Sequence, residues 1–245
     1  MKRIFTFLFA MVMVLGLTVQ AHATLTTIGE VTYNSSDYNL IYDDDRGIAW
    51  LDYYNPMNTW TNQVAWAAGL NNPGVLTYNL DPGITMSWSG EWRLPSTVDG
   101  LNVYGYDGTT TSGFNITTSE MGHLYYTELG NKGFIDTSGN PQPIWGLTNT
   151  GPFLNLQPFV HWSGTEYAAS PANAWYFNFS HGGQHVDSKD FGRQLVYNEI
   201  IYGYFTLAVR PGDVAAVPEP GTLLLFGSGI AGLVAFRKRF RRRDR

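Results

Sequence analysis

Not one cysteine occurs in the 245 residues, and that absence narrows what this chain can become more than any motif it carries. Disulfide staples, thiolate metal sites and cysteine nucleophiles are all excluded. Whatever fold forms must be held by its apolar core. Aromatic residues make up 15% of the chain, enough for such a core because each buried ring removes a large area from water.

The lack of staples matters because both ends read as export signals. Lys2 and Arg3 precede an uncharged apolar run from Ile4 to Leu17, and Ala21-His22-Ala23 sets small residues where a signal peptidase cuts. This predicts a signal peptide over residues 1–23, a partner in signal peptidase, and a mature chain starting near Thr24. At the other end, Val217-Pro218-Glu219-Pro220-Gly221 leads into an uncharged stretch over 222–236 and a basic tail over 237–245. That tail is expected to stay cytoplasmic. A helix from Gly221 to Phe236 would reach about 24 Å at ~1.5 Å per residue, short of a bilayer core of ~30 Å. Such a transmembrane helix suits a transient stage better than a permanent anchor.

Motif, span and charge in this order resemble the PEP-CTERM sorting signal, here over 214–245. Pro218, Glu219 and Pro220 carry the motif, and Arg237, Lys238 and Arg239 open the basic tail. The resemblance implies recognition by an exosortase-type membrane transpeptidase in a Gram-negative bacterium that makes extracellular polysaccharide. It further implies a transient inner-membrane intermediate, then delivery to the cell surface or extracellular matrix.

The formal charge of −5 misrepresents the part between the signals. Nine of the fifteen basic residues sit in the two ends, leaving six against eighteen acids, so the intervening region is near −12. Nucleic acid is excluded as a partner, since phosphate binding needs clustered Lys and Arg.

Residues 24–213 have the length of one domain. Alternating apolar residues from Val31 to Asp45, a turn at Asp43-Asp44-Asp45-Arg46-Gly47 and then Ile48-Ala49-Trp50-Leu51 predict a hairpin. Trp60, Val64, Ala65 and Ala68 recur at helical spacing before Asn71-Asn72-Pro73-Gly74, which predicts a first helix. Thr117 and Glu120 have the spacing of a capping box, with Met121, Leu124, Tyr125 and Leu129 on one face and Gly130 as terminator. These predict a second helix. Between them, the Gly-, Ser- and Thr-rich segment 96–116 reads as a surface loop. Runs around Trp162, Trp175, Gly183 and Phe205 predict a small antiparallel sheet in the C-terminal half.

Gly47-Ile48-Ala49-Trp50, Trp92-Arg93-Leu94-Pro95, Trp162-Ser163-Gly164-Thr165, Ala174-Trp175 and Ala208-Val209-Arg210, in this order, resemble the Lcl C-terminal-type domain. The resemblance implies an α+β, C-type-lectin-like fold with two helices and a small antiparallel sheet, to which the two ends add the signal helix and the C-terminal transmembrane helix. It implies no reaction, because that family has no settled activity.

Trp92, Arg93, Leu94, Pro95 and Arg210 are read as a structural motif. Both guanidinium groups sit in apolar runs and need internal partners, with Glu91, Glu120 and Glu166 as candidates for pairing. The Tyr104 and Tyr106 loop, with Tyr167 and Trp88, offers aromatic faces for a sugar or protein ligand. His181 and His185 flank a turn but need a third metal ligand, for which Asp187 and Asp190 stand nearest. Asp43-Asp44-Asp45 points to different sides and is not expected to gather a calcium ion. Gln157-Pro158-Phe159 lacks the carboxylate of calcium-dependent lectins. No metal and no cofactor are expected.

Ser163 or Ser180 with His161 or His181 would make a hydrolase dyad, but there is no nucleophile elbow, no Gly-x-Ser-x-Gly and no oxyanion loop. The expectation is therefore a non-enzymatic binding or adhesion protein linked to exopolysaccharide or biofilm, with extracellular polysaccharide or matrix proteins as partners. A matrix-acting hydrolase and an inert structural coat protein remain as alternatives.

Overall fold

Side chains that alternate between two sides of a strand organise this molecule. The computed structural model describes residues 25–191, 195–197, 200–202 and 204–216. Three N-terminal strands run as a meander: β1 (Leu25–Tyr33), β2 (Ser36–Asp43) and β3 (Ile48–Asn58). In β3, Ile48 and Trp50 face one core while Ala49 and Leu51 face another. In β2, Ile41 and Leu40 divide the same way. Both faces of the sheet are covered, so these strands read as continuous apolar runs.

Helix α1 (Trp60–Gly69) follows β3 and covers one face through Ala67. After it come β4 (Thr77–Leu80) and β5 (Ile84–Trp88). β4 pairs with β1 at the sheet edge, which explains Gly29. Its φ of +138° is open to glycine, and a Cβ there would sit 2.4 Å from the Asn79 carbonyl oxygen.

Two short strands, β6 (Tyr104–Gly105) and β7 (Ser112–Gly113), precede α2 (Glu120–His123), which runs straight into a π-helical turn, Leu124–Glu128. Met121, Leu124, Tyr125 and Leu129 bury against Trp50, Phe177, Phe179 and Val209 on the second face. The C-terminal strands are β8 (Val160–Glu166), β9 (Asn173–Asn178), β10 (Gly183–Ser188) and β13 (Tyr204–Ala216), with β11 (Leu195–Tyr197) and β12 (Ile200–Tyr202) forming a separate hairpin.

One eleven-stranded mixed sheet results, in the order β4-β1-β2-β3-β13-β8-β9-β10-β7-β6, with β5 also on β13. β13 is the joint. It runs antiparallel to β3 through Tyr204–Pro211, meets β8 in parallel at Phe205, and then takes β5 through Gly212–Ala216.

This corrects the α+β, lectin-like expectation of two helices beside a small antiparallel sheet. The C-terminal strands form, but β13 welds them to the N-terminal meander. Among the described residues the helical content is one helix of ten residues and one of four with its π turn. The second helix begins later than expected: its N-cap is Ser119, whose hydroxyl accepts from the Gly122 N–H, and Thr117 takes no part in that cap. The expected signal helix and C-terminal transmembrane helix lie outside the described residues. Among those described, no helix is long and apolar enough to cross a membrane.

Candidate surface-binding site

The 96–116 segment is tied down by its own polar side chains. Asp99 accepts from the Trp175 indole N–H at 2.8 Å, and the Gln184 amide donates to the Thr111 carbonyl at 2.9 Å. Asp107 accepts from both the N–H and the hydroxyl of Thr109, closing a tight turn. Asn115 then donates to the carbonyls of Tyr106 and Ile135, joining this turn to the next segment. β7 pairs with β10 at Gln184 and with β6 in parallel, so the segment forms an edge of the sheet.

Strand β6 holds Tyr104 at this edge, 58% exposed. Its ring lies flat over the His185 ring, at a centroid distance of 5.8 Å and 11° between planes. His185 is fixed from below, because its Nδ1 is 2.9 Å from the buried Ser112 hydroxyl. Burial, then the neighbouring His181, draws the His185 pKa below its ordinary value, which favours the neutral ring. Behind it, Tyr176 packs with tilted rings against both His185 and Tyr204. One face of the Tyr104 ring is thus held by the protein.

The other aromatic candidates divide. Tyr106 is exposed and packs its ring over Gly139. Tyr167 accepts from the Asn102 N–H at 3.4 Å and meets Trp175 edge-on, which places it against the base of the same loop. Trp88 belongs elsewhere: on β5 it packs with Tyr78 and Trp92 beneath the Arg210 guanidinium.

Of the Trp92–Pro95 motif, Trp92 and Leu94 are buried in the core, and the Trp92 indole donates to the Tyr78 hydroxyl at 2.7 Å. Arg93 grips Glu120 with two hydrogen bonds, at 2.8 and 2.7 Å, and Glu120 also accepts from the Ser96 N–H. The Pro95 carbonyl accepts from the Gly164 N–H. Arg210 donates to the Gly90 carbonyl and the Tyr78 hydroxyl. Pro218, Glu219, Pro220, Arg237, Lys238 and Arg239 lie outside the described residues.

The serine–histidine pairs read from sequence do not assemble. Ser163 accepts from the Thr165 N–H, and the His161 Nδ1 faces the Phe159 carbonyl. Ser180 donates to the Asn178 side chain. Among the described residues, the Ser–His contact that does form, Ser112 with His185, has its hydroxyl buried. His181 is engaged by Asn178 and by the Gly183 N–H, and Asp187 accepts from Tyr204.

A constellation missing from the sequence reading forms around the β2–β3 turn. Among the described residues, Asp43, His123 and Glu128 alone bring three potential metal-ligand atoms together, all within 4.8 Å of one another. Asp45, two residues from Asp43, reaches the same imidazole. Burial first, then the charges of Asp43, Asp45 and Asp44, pushes Glu128 up to about 7. The spacing Asp43, Asp45 was visible in the sequence; the partners some eighty residues on were not.

No curated protein and no solved structure matches the chain. Residues 216–242, which begin at the last residue of β13, match the PEP-CTERM protein-sorting motif. The chain therefore carries a signal for export through an exosortase-type system and for sorting to the bacterial cell surface.

Proposed function

We propose that the exported domain is a non-enzymatic binding module of the bacterial surface or matrix, which engages extracellular polysaccharide through the 96–116 edge. The observation that carries this reading is Tyr104, an exposed ring already immobilised on His185. A preordered aromatic face loses little side-chain entropy when a sugar ring stacks on it. Delivery to the cell surface, which the sorting motif signals, supports an extracellular ligand. The burial of Ser112 and the separate engagements of Ser163 and Ser180 favour binding over catalysis.

The test is co-sedimentation of the full chain with extracellular polysaccharide from its host. Tyr104→Ala should reduce binding several-fold, while Trp88→Phe should leave it unchanged. Absence of association by the unaltered chain would refute the reading, and turnover of a glycoside or ester panel would replace it with the hydrolase.

A further inference from the structure

The turn after β2 and the π-helical turn meet on a cluster that the binding edge does not use. Asp43 ends β2, Asp45 lies in the following turn, His123 ends α2, and Glu128 closes the π turn. The His123 Nε2 is 3.1 Å from Glu128 Oε1 and 3.6 Å from Asp45 Oδ2. Ligand atoms bound at ~2.1 Å to a tetrahedral ion lie about 3.4 Å apart, close to the His123–Glu128 separation, and Asp43 completes a trio within 4.8 Å.

The π turn is what makes the meeting possible. Residues five apart on an α-helix point about 140° away from each other, because each residue turns the helix by about 100°. Here the Leu129 N–H bonds the Leu124 carbonyl, five residues back, and the widened turn carries Glu128 over His123.

Asp43 is preset by the Arg46 N–H at 3.1 Å and the Trp50 indole at 3.4 Å, an outer shell of the kind that orients metal ligands. The Glu128 side chain is 2% exposed, and its hydrogen bond is to His123, inside the cluster. A carboxylate buried with so little support is costly unless a cation faces it. The charges of Asp43, Asp45 and Glu128 face Arg46, whose guanidinium donates to the Thr117 carbonyl.

We propose that Asp43, His123 and Glu128 bind one divalent transition-metal ion, with Zn²⁺ the best match and the Asp45 carboxylate adding negative charge beside the His123 ring. Imidazole beside carboxylates suits Zn²⁺, whereas Ca²⁺ takes six to eight oxygens. The ion clamps the β2–β3 turn to the π turn, a cross-link between residues some eighty apart in a chain that has no disulfide to do so.

The full chain is stripped with EDTA and titrated calorimetrically with ZnCl₂ and, separately, CaCl₂. One Zn²⁺ per chain is expected, with a melting temperature raised by several degrees at saturation. His123→Gln and Glu128→Gln should each weaken Zn²⁺ at least about tenfold. Asp45→Asn should weaken it too while keeping the metal-free melting temperature, since that side chain is 44% exposed. Absence of saturable Zn²⁺ binding, Ca²⁺ binding as tight as Zn²⁺, or Zn²⁺ binding unchanged in Asp45→Asn would each overturn the site. The Asp45 variant decides if the two buried ones fold poorly.

Discussion

His161 makes the stability of this domain depend on acid in a way that can be worked out from its surroundings. The side chain is fully buried on β8, between Phe179 at 5.0 Å and Phe205 at 5.8 Å. Its Nδ1 lies 3.0 Å from the Phe159 carbonyl, so that nitrogen carries the proton, and its Nε2 has no partner. A charge placed on this ring would have no water and no carboxylate. Burial accordingly draws its pKa down from 6.5 to about 4, the Phe159 bond resisting. The folded value lies below the unfolded one. The contribution to stability is therefore complete above pH ~6.5 and is lost as the pH falls towards about 4. The fall from 6.5 to about 4, at ~1.4 kcal/mol per tenfold change in proton activity, corresponds to about 3 kcal/mol across that window.

The perturbation is His161→Phe, followed by urea unfolding of the full chain at half-unit steps from pH 4 to pH 8. At pH 8 the two proteins should differ by only about 1 kcal/mol, because phenylalanine gives up one hydrogen bond and removes one orphaned nitrogen. The Phe159 carbonyl keeps its other donor, the Phe179 N–H. At pH 4 the variant should be ahead by about 3 kcal/mol relative to that baseline. His123, His181 and His185, whose pKa values burial also lowers, titrate in both proteins and largely cancel in the difference. A difference that stays flat from pH 4 to pH 8 would refute the reasoning.

Two further predictions test the framework around the site. Glu120→Gln removes one charge from the Arg93 pair, whose arginine is 39% exposed, so urea melts should show a loss of about 1–2 kcal/mol, between surface and fully buried ion pairs. Gly113→Ala would bring a Cβ to 1.8 Å from the Gly105 carbonyl at a φ of +110°. It should cost at least about 2 kcal/mol in the same assay and weaken polysaccharide binding by displacing the strand that carries Tyr104.

Local pattern reached some elements and not others. Helix α1 was legible because its apolar spacing and its Asn-Pro-Gly stop lie within one short window. The hairpin of β2 and β3 was legible from its turn. In α2 the apolar face was read, but the π turn was not. Leu124, Tyr125 and Leu129 fit helical spacing either way, and the insertion is fixed by how Tyr125 packs on Phe177 and Phe179. The 96–116 segment looked like a loose loop because its strands are two residues long and pair through backbone, which leaves no periodicity.

What the chain's order of residues determined by itself is the export address and the local alternation of apolar positions. A sorting tail is read by its receptor as a linear stretch, and period two is a property of one strand. Which strands become neighbours was decided only in three dimensions. Ile48–Leu51 and Leu207–Val209 are apolar on both sides, so either could have joined any sheet, and burial of both faces is achieved only when β13 inserts between β3 and β8. That insertion anchors the core face on which the π turn packs, and so sets His123 and Glu128 against Asp43 and Asp45.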